Sequence, residues 1–325
     1  MTYEPKENIT VLGEIIGPGE SAELSFDVAK LHTTSTVDVP VIIERSTNPG
    51  PVVLFTAGIH GDEVNGVEII RQIIAKGINK PKCGTIICMP VINVFGFINL
   101  KREFPDGRDL NRVFPGLRLG SLASRVAYTL MTEVVPDVDF IMDFHTGGAG
   151  RFNSPQIRIA KHNPELNEYA KIFGAPFVLY SKNLKRSFRH ACYKLKKPLL
   201  LFEGGKSFHI DNNITKTGIN GAKRILKHFD MLNNKFKART VEKPPVFIVG
   251  SRWQRANFSG MFQATVKINT QVTKNQILGH ITDPYGKFDH IVKSEISGYI
   301  INVNEAPIVY QGDALFHITS KLAKV

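Results

Sequence analysis

The sequence predicts an α/β protein: a mixed or largely parallel sheet flanked by helices, with a smaller all-β region at the C-terminal end. Short continuous apolar runs recur, as strands covered on both faces require. Stretches of helical periodicity lie between them. After about residue 240 the helical pattern stops, and short β-branched runs rich in Gly and Asn take over.

Residues 1–50 read as an irregular or β-rich segment that closes at the turn Thr47-Asn48-Pro49-Gly50. Pro51 to Thr56 (PVVLFT) is the first buried strand. Glu63 to Lys76 has one apolar face, made of Val64, Val67, Ile70, Ile73 and Ile74, and Gly77 follows as its stop signal. Further strands are expected at Thr85–Met89, Asp139–Phe144 and Pro198–Phe202, with helices at roughly 121–133, 165–173 and 216–229. Lys243-Pro244-Pro245 reads as a linker, which divides the chain into 1–242 and a β unit over 243–325. The β unit carries a weak internal repeat. Ser259-Gly260 is echoed by Ser297-Gly298, and Ile277-Leu278-Gly279-His280-Ile281 by Ala314-Leu315-Phe316-His317-Ile318.

The chain has 325 residues, 42% hydrophobic and 22% charged, which excludes a disordered or collagen-like protein. No apolar run approaches the ~20 residues of a membrane span, and MTYEPKENIT lacks the pattern of a signal peptide. A cytoplasmic protein without a membrane partner is expected. Three cysteines, Cys83, Cys88 and Cys192, fit no metal or redox spacing and read as free thiols. The net charge of +12 favours anionic partners. No nucleic-acid motif accompanies the basic stretches between Lys182 and Arg239, so a solvated face and small anionic substrates are preferred to nucleic acid.

Four polar constellations follow the apolar strands. His60-Gly61-Asp62-Glu63 places a histidine at a strand end and a carboxylate three residues on, a pair that suits Zn²⁺. The same letters also arise from a helix-capping Asp62 beside an ordinary strand-exit histidine. Asp143-Phe144-His145 puts Asp143 and His145 on one face of a strand. His145 suits a third ligand, and Asp143 an acceptor that orients an imidazole. A buried Asp–His pair without a metal has the same pattern. Glu203, ahead of Gly204-Gly205, ends an apolar strand where a buried carboxylate is costly unless it faces a cleft. There it suits a general base, and the glycine pair allows close approach of backbone or substrate. Arg108-Asp109-Leu110-Asn111-Arg112-Val113-Phe114-Pro115-Gly116 is a dense polar loop suited to a carboxylate, or to a structural turn. Three protein ligands with an open fourth position are the layout of a catalytic zinc site.

Together, His60-Gly61-Asp62-Glu63, Arg108 to Arg112, Asp143-Phe144-His145 and Glu203-Gly204-Gly205 make the chain resemble the succinylglutamate desuccinylase/aspartoacylase family, within the zinc carboxypeptidase-like superfamily, over roughly residues 50–320. The resemblance implies a mixed sheet flanked by helices over 1–242 as the catalytic unit. It implies one Zn²⁺ per chain on His60, Glu63 and His145, with Glu203 as general base and acid. Asn111 and Arg112 would hold the substrate carboxylate. An arginine before the loop would polarise the scissile carbonyl; Arg102 is the choice, with Arg108 the nearer alternative. Arg189 is the approximate match for a further substrate contact. The β unit resembles the two-halved sandwich of biotinyl and lipoyl carriers, but the surroundings of Lys287, Gly286-Lys287-Phe288, are those of neither carrier. A shielding or oligomerising role, including a homo-oligomer, is preferred for it.

The expected activity is hydrolysis of the amide of a small anionic N-acyl amino acid by metal-activated water. The alternatives are a carboxypeptidase on short peptides and a non-enzymatic binding protein with a degenerate zinc site.

Overall fold

The computed structural model describes residues 6–161 and 163–323. Its strands are β1 (Ile9–Val11), β2 (Glu14–Ile16), β3 (Ser21–Lys30), β4 (Thr36–Arg45), β5 (Val52–Ala57), β6 (Thr85–Met89), β7 (Phe140–Gly147), β8 (Arg151–Ile159), β9 (Phe177–Tyr180), β10 (Leu199–Lys206), β11 (Val246–Arg255), β12 (Gly260–Ala264), β13 (Gln271–Val272), β14 (Ile277–Thr282), β15 (Asp289–Lys293), β16 (Gly298–Asn304), β17 (Ile308–Val309) and β18 (Ala314–Leu322). Its α-helices are α1 (Val64–Ala75), α2 (Val94–Asn99), α3 (Leu122–Thr129), α4 (Pro164–Phe173), α5 (Phe188–Lys194) and α6 (Asn212–His228).

The apolar runs form the centre of a mixed sheet, in which β10, β7, β5 and β6 are parallel neighbours. All six residues of β5 are buried. Val53, Phe55 and Ala57 pack into one layer, with α1, α4 and α6; Val52 and Leu54 pack into the other, with α3 and α5. Burial of each large apolar side chain stabilises the fold by roughly 1.5–3 kcal/mol, so these continuous runs anchor the sheet. Antiparallel β4 and β3 extend the sheet at one end, where the sequence indicated only β-rich chain.

α1 ends at Ala75 with Lys76 as its C-cap, and Gly77 follows in the left-handed region at φ 67°, a conformation that glycine adopts without steric cost. The helix expected at 121–133 is α3 continued by a wider π-type turn over Leu130–Val134.

At its other end the sheet runs on without a break into the C-terminal strands. Parallel β11 pairs with β9, β18 pairs with β11, and β16 pairs with β18. β16 also returns to pair with the start of β8, through Asn302–Asn153 and Val303–Phe152. The ring β8-β9-β11-β18-β16 is therefore closed, with Phe177, Leu179, Ile248 and Ile301 packed together. A separate sheet, β15-β14-β12-β17, lies in the C-terminal part, where a third core contains Phe262, Leu278, Leu315 and Phe316. The sequence repeat falls on matching positions: Gly260 and Gly298 open β12 and β16, and the second motif lies on β14 and β18. No described helix is long and apolar enough to cross a membrane.

Candidate metal centre and catalytic cleft

The carboxyl ends of the central strands open into a cavity of about 830 Å³ lined by His60, Glu63, Arg102, Asn111, Arg112, Asp143, His145, Arg189 and Glu203, among others. The cleft lies where open α/β sheets place ligands. The proposed ligands, base and substrate contacts meet there; Arg108 does not, being exposed and paired with Asp106.

β5 ends in a tight loop. Gly58 takes φ 62°, and a Cβ on Gly61 would lie 1.8 Å from the backbone of Gly96, so side chains at both positions are excluded. This loop turns His60 back over the strand end. Glu63 is the residue immediately before α1, and its side chain makes no capping bond. Asp62, the capping candidate, makes no cap either, since α1 has no side-chain cap bond and the buried Asp62 Oδ1 has no hydrogen-bond partner among the described residues; the Glu63 carboxylate faces the histidines instead. Oε1 lies 2.7 Å from His60 Nδ1, and Oε2 lies 2.9 Å from His145 Nδ1.

The three residues are 3–4% exposed, and their ligand atoms lie within 4.8 Å of one another. Two imidazole nitrogens and one carboxylate oxygen suit a Zn²⁺ ion. Each histidine also has an outer acceptor on its other nitrogen. His145 Nε2 lies 2.9 Å from Asp143 Oδ2, and Thr56 donates to Asp143 Oδ1 at 2.8 Å. His60 Nε2 lies 3.2 Å from Asp109 Oδ1. Such outer acceptors fix ring orientation in metal sites. Phe144 points into the opposite layer, as the alternation requires.

Burial opposes charge on all three groups, but their mutual attraction prevails. His60 is raised by Glu63 and Asp109, and His145 is raised well above the usual range by Asp143 and Glu63. Glu63 is held well below the usual carboxylate range by the two imidazoles. A cation at this point would compete with protons for the same donor atoms.

Around this centre, Arg102 donates from Nη2 to Asp109 Oδ2 at 2.9 Å and from Nη1 to Glu63 Oε1 at 3.2 Å. Asp109 also accepts from the Asn111 backbone N–H, which ties the loop to His60. Asn111 Oδ1 accepts from the N–H of Phe188 at the start of α5. Arg112 is half exposed and donates to the Asn111 carbonyl. Arg189 donates from Nη2 to Ser181 Oγ and the Lys182 carbonyl. Its buried Nη1 has no hydrogen-bond partner among the described residues. Burial and the neighbouring Arg158 push its guanidinium down to about 10.

Glu203 is held at both oxygens: Arg158 Nη1 lies 3.1 Å from Oε1, and Asn153 donates to Oε2 at 2.6 Å. The following glycines serve packing, because a Cβ on Gly205 would lie 2.6 Å from Asn65 and one on Gly204 2.9 Å from Ile214. They do not line the cavity.

Sequence reasoning left Asn153 and Arg158 unassigned. Both lie on β8, whose polar residues and internal Pro155 disguise a central strand. Asp109 was in view as part of the polar loop, without a role. Trp253 and Asn302 bring the C-terminal strands to the cavity wall, a contribution that no local motif announces.

Residues 49–229, more than half of the chain, match the succinylglutamate desuccinylase/aspartoacylase catalytic domain. The N-alpha-acetyl-L-2,4-diaminobutyric acid deacetylase of Halomonas elongata is 26% identical over 261 residues, covering 76% of this chain and 75% of that protein. Among solved structures, the product-bound ectoine utilization protein EutE (DoeB) of Ruegeria pomeroyi is similar with a TM-score of 0.82 at 19% identity, covering 98% of this chain and 100% of that one. A succinylglutamate desuccinylase/aspartoacylase of Rhodobacter sphaeroides gives a TM-score of 0.79 at 21% identity, covering 93% and 95%. These structural likenesses show a shared mixed α/β fold. The chain belongs to the succinylglutamate desuccinylase/aspartoacylase family and is an amide hydrolase of that family.

Proposed function

We propose that the protein is a zinc-dependent deacylase that hydrolyses the amide bond of a small anionic N-acyl amino acid. The observation that carries this reading is the buried His60–Glu63–His145 cluster in the same cavity as a carboxylate, Glu203, held at both of its oxygens. The acetylated amino acid in the name of the Halomonas elongata relative supports the substrate class.

A zinc ion held by His60, Glu63 and His145 would supply Lewis acidity, lowering the pKa of a water towards ~7 and polarising the acyl carbonyl. Asp143 and Asp109 hold the two imidazoles in orientation. Glu203 takes a proton from the attacking water as the new C–O bond forms, and delivers it to the departing amine as the C–N bond breaks. Arg102 faces the negative charge that develops on the carbonyl oxygen. Asn111 and Arg112 anchor the amino-acid carboxylate, and Arg189 takes a second anionic group. The catalytic unit is 1–242, and 243–325 forms a sandwich-like β unit at the cleft mouth that shields it or builds a homo-oligomer. A cytoplasmic location accords with three free thiols.

The test is metal analysis together with a hydrolysis screen over N-acetyl, N-succinyl and N-formyl amino acids and short peptides. Zinc at one per chain and turnover of acyl amino acids over peptides are expected. Glu203→Gln should keep the metal and lose kcat by ~10²–10⁴. Wild-type turnover by Glu203→Gln would overturn the base assignment, and preference for peptides the substrate class.

A further inference from the structure

Oε2 of Glu203 is the end of a chain of hydrogen bonds that begins in the C-terminal strands. Asn302 on β16 donates from Nδ2 to Asn153 Oδ1 at 2.7 Å, and Asn153 donates from Nδ2 to Glu203 Oε2 at 2.6 Å. Asn302 and Asn153 are backbone partners in the β16–β8 pairing that closes the five-strand ring. They are 2% and 3% exposed, so water does not readily replace either bond. The direction of the chain is set by chemistry. An ionised carboxylate only accepts hydrogen bonds, so Asn153 must turn its NH₂ towards Glu203. Its oxygen is then left facing Asn302, which must in turn offer NH₂.

We propose that Asn302 is a positioning residue for Glu203, acting through Asn153, so that the C-terminal β region sets the geometry of the base. The sheet fixes where the Glu203 backbone lies. Arg158 on Oε1 and the asparagine relay on Oε2 fix the plane of the carboxylate. Without Asn302, the Asn153 amide loses the partner that locks its orientation, and a base displaced by about 1 Å can lose on the order of 100-fold in rate. The proposal rests on Glu203 being the base.

The experiment measures kcat, KM, metal content and Tm for Asn302→Ala, Asn302→Asp, Asn153→Ala and the Asn153→Ala/Asn302→Ala double variant. The substrate is the acyl amino acid turned over best in the screen. Asn302→Ala should lose about 10-fold in kcat with KM and metal content unchanged. Asn302→Asp keeps the side-chain volume but can only accept a hydrogen bond when ionised. It draws the Asn153 NH₂ away from Glu203, so its loss should exceed that of Asn302→Ala. On the Asn153→Ala background, Asn302→Ala should cost nothing further. Wild-type kcat in folded Asn302 variants, a loss confined to KM, or an equal loss on both backgrounds would each overturn the relay. Asn302→Ser replaces either variant that fails to fold and is judged by the same outcomes. If Glu203→Gln is inactive while the Asn302 variants are normal, only the relay falls. If Glu203→Gln is active, the base reading falls and takes the relay with it.

Discussion

Glu203 and His145 stand opposite each other as backbone partners across the parallel β10–β7 ladder. Parallel neighbours lie about 4.8 Å apart, and paired residues present their side chains on the same face. The proposed base and a proposed metal ligand are therefore spaced by the sheet itself. Glu203→Asp tests how closely that spacing matters. It shortens the side chain by one methylene and leaves the strand pairing alone. A kcat loss on the order of 100-fold with unchanged metal content is expected, measured by steady-state kinetics and metal analysis. Full activity would mean that the carboxylate does not need this reach.

The central strands are legible in the sequence because β5, β6, β7 and β10 are covered on both faces, which makes each a short run dominated by apolar residues. For the same reason His60, Asp143, His145 and Glu203 stand out, since polar groups that break such a run must find a partner or a cleft. β8 follows different rules. Its Asn153 and Arg158 line the cleft and Gln156 is buried between them, so it has no apolar run to read. The closure of β16 on β8 joins residues about 150 positions apart, and neither strand carries a local mark of the other. Pro244 and Pro245 mark the proposed boundary, but nothing there announces that Val246 directly after them starts β11 and pairs with Phe177.

Removal of the proposed metal should give a stability signal that does not depend on knowing the substrate. A ligand that binds only the folded state stabilises it by RT ln(1 + [L]/Kd), ~4 kcal/mol at a thousandfold excess over Kd. Chelation should lower the Tm of the metal-loaded protein by several degrees, read by thermal unfolding with and without chelator. His60→Ala should bind no zinc and show no chelator effect. If His60→Ala keeps one zinc per chain, the ion is held elsewhere.

The role of Arg112 is tested by substrate charge. A charge-assisted hydrogen bond contributes about 1.5–3 kcal/mol, and at a half-exposed side chain the lower end applies. Arg112→Met should raise KM by about 10-fold for substrates with a free α-carboxylate and leave their α-amide analogues unaffected. Equal losses for both would mean that Arg112 supports the loop and not the carboxylate.

His317 gives the C-terminal strands a pH dependence of their own. Its ring stacks on Trp253, its backbone partner on β11, with centroids 4.3 Å apart and planes at 7°. Trp253 is the chain's one tryptophan and lines the cleft. Burial, with the positive charge of Arg158 nearby, pushes His317 from 6.5 down to about 3. Between those two values the unfolded chain binds a proton that the folded chain refuses. Stability therefore falls as pH drops below about 6.5 and stops falling for this reason near 3, a loss on the order of several kcal/mol across the window. Carboxylates titrate in the lower half of the same range, so the informative quantity is the difference from His317→Gln. Denaturant unfolding followed by Trp253 fluorescence should show the wild-type protein weakening from pH 6.5 to 5 while His317→Gln holds nearly constant. Superimposable curves would show that His317 is charged in the folded protein, and that the stacked pair is an imidazolium on an indole.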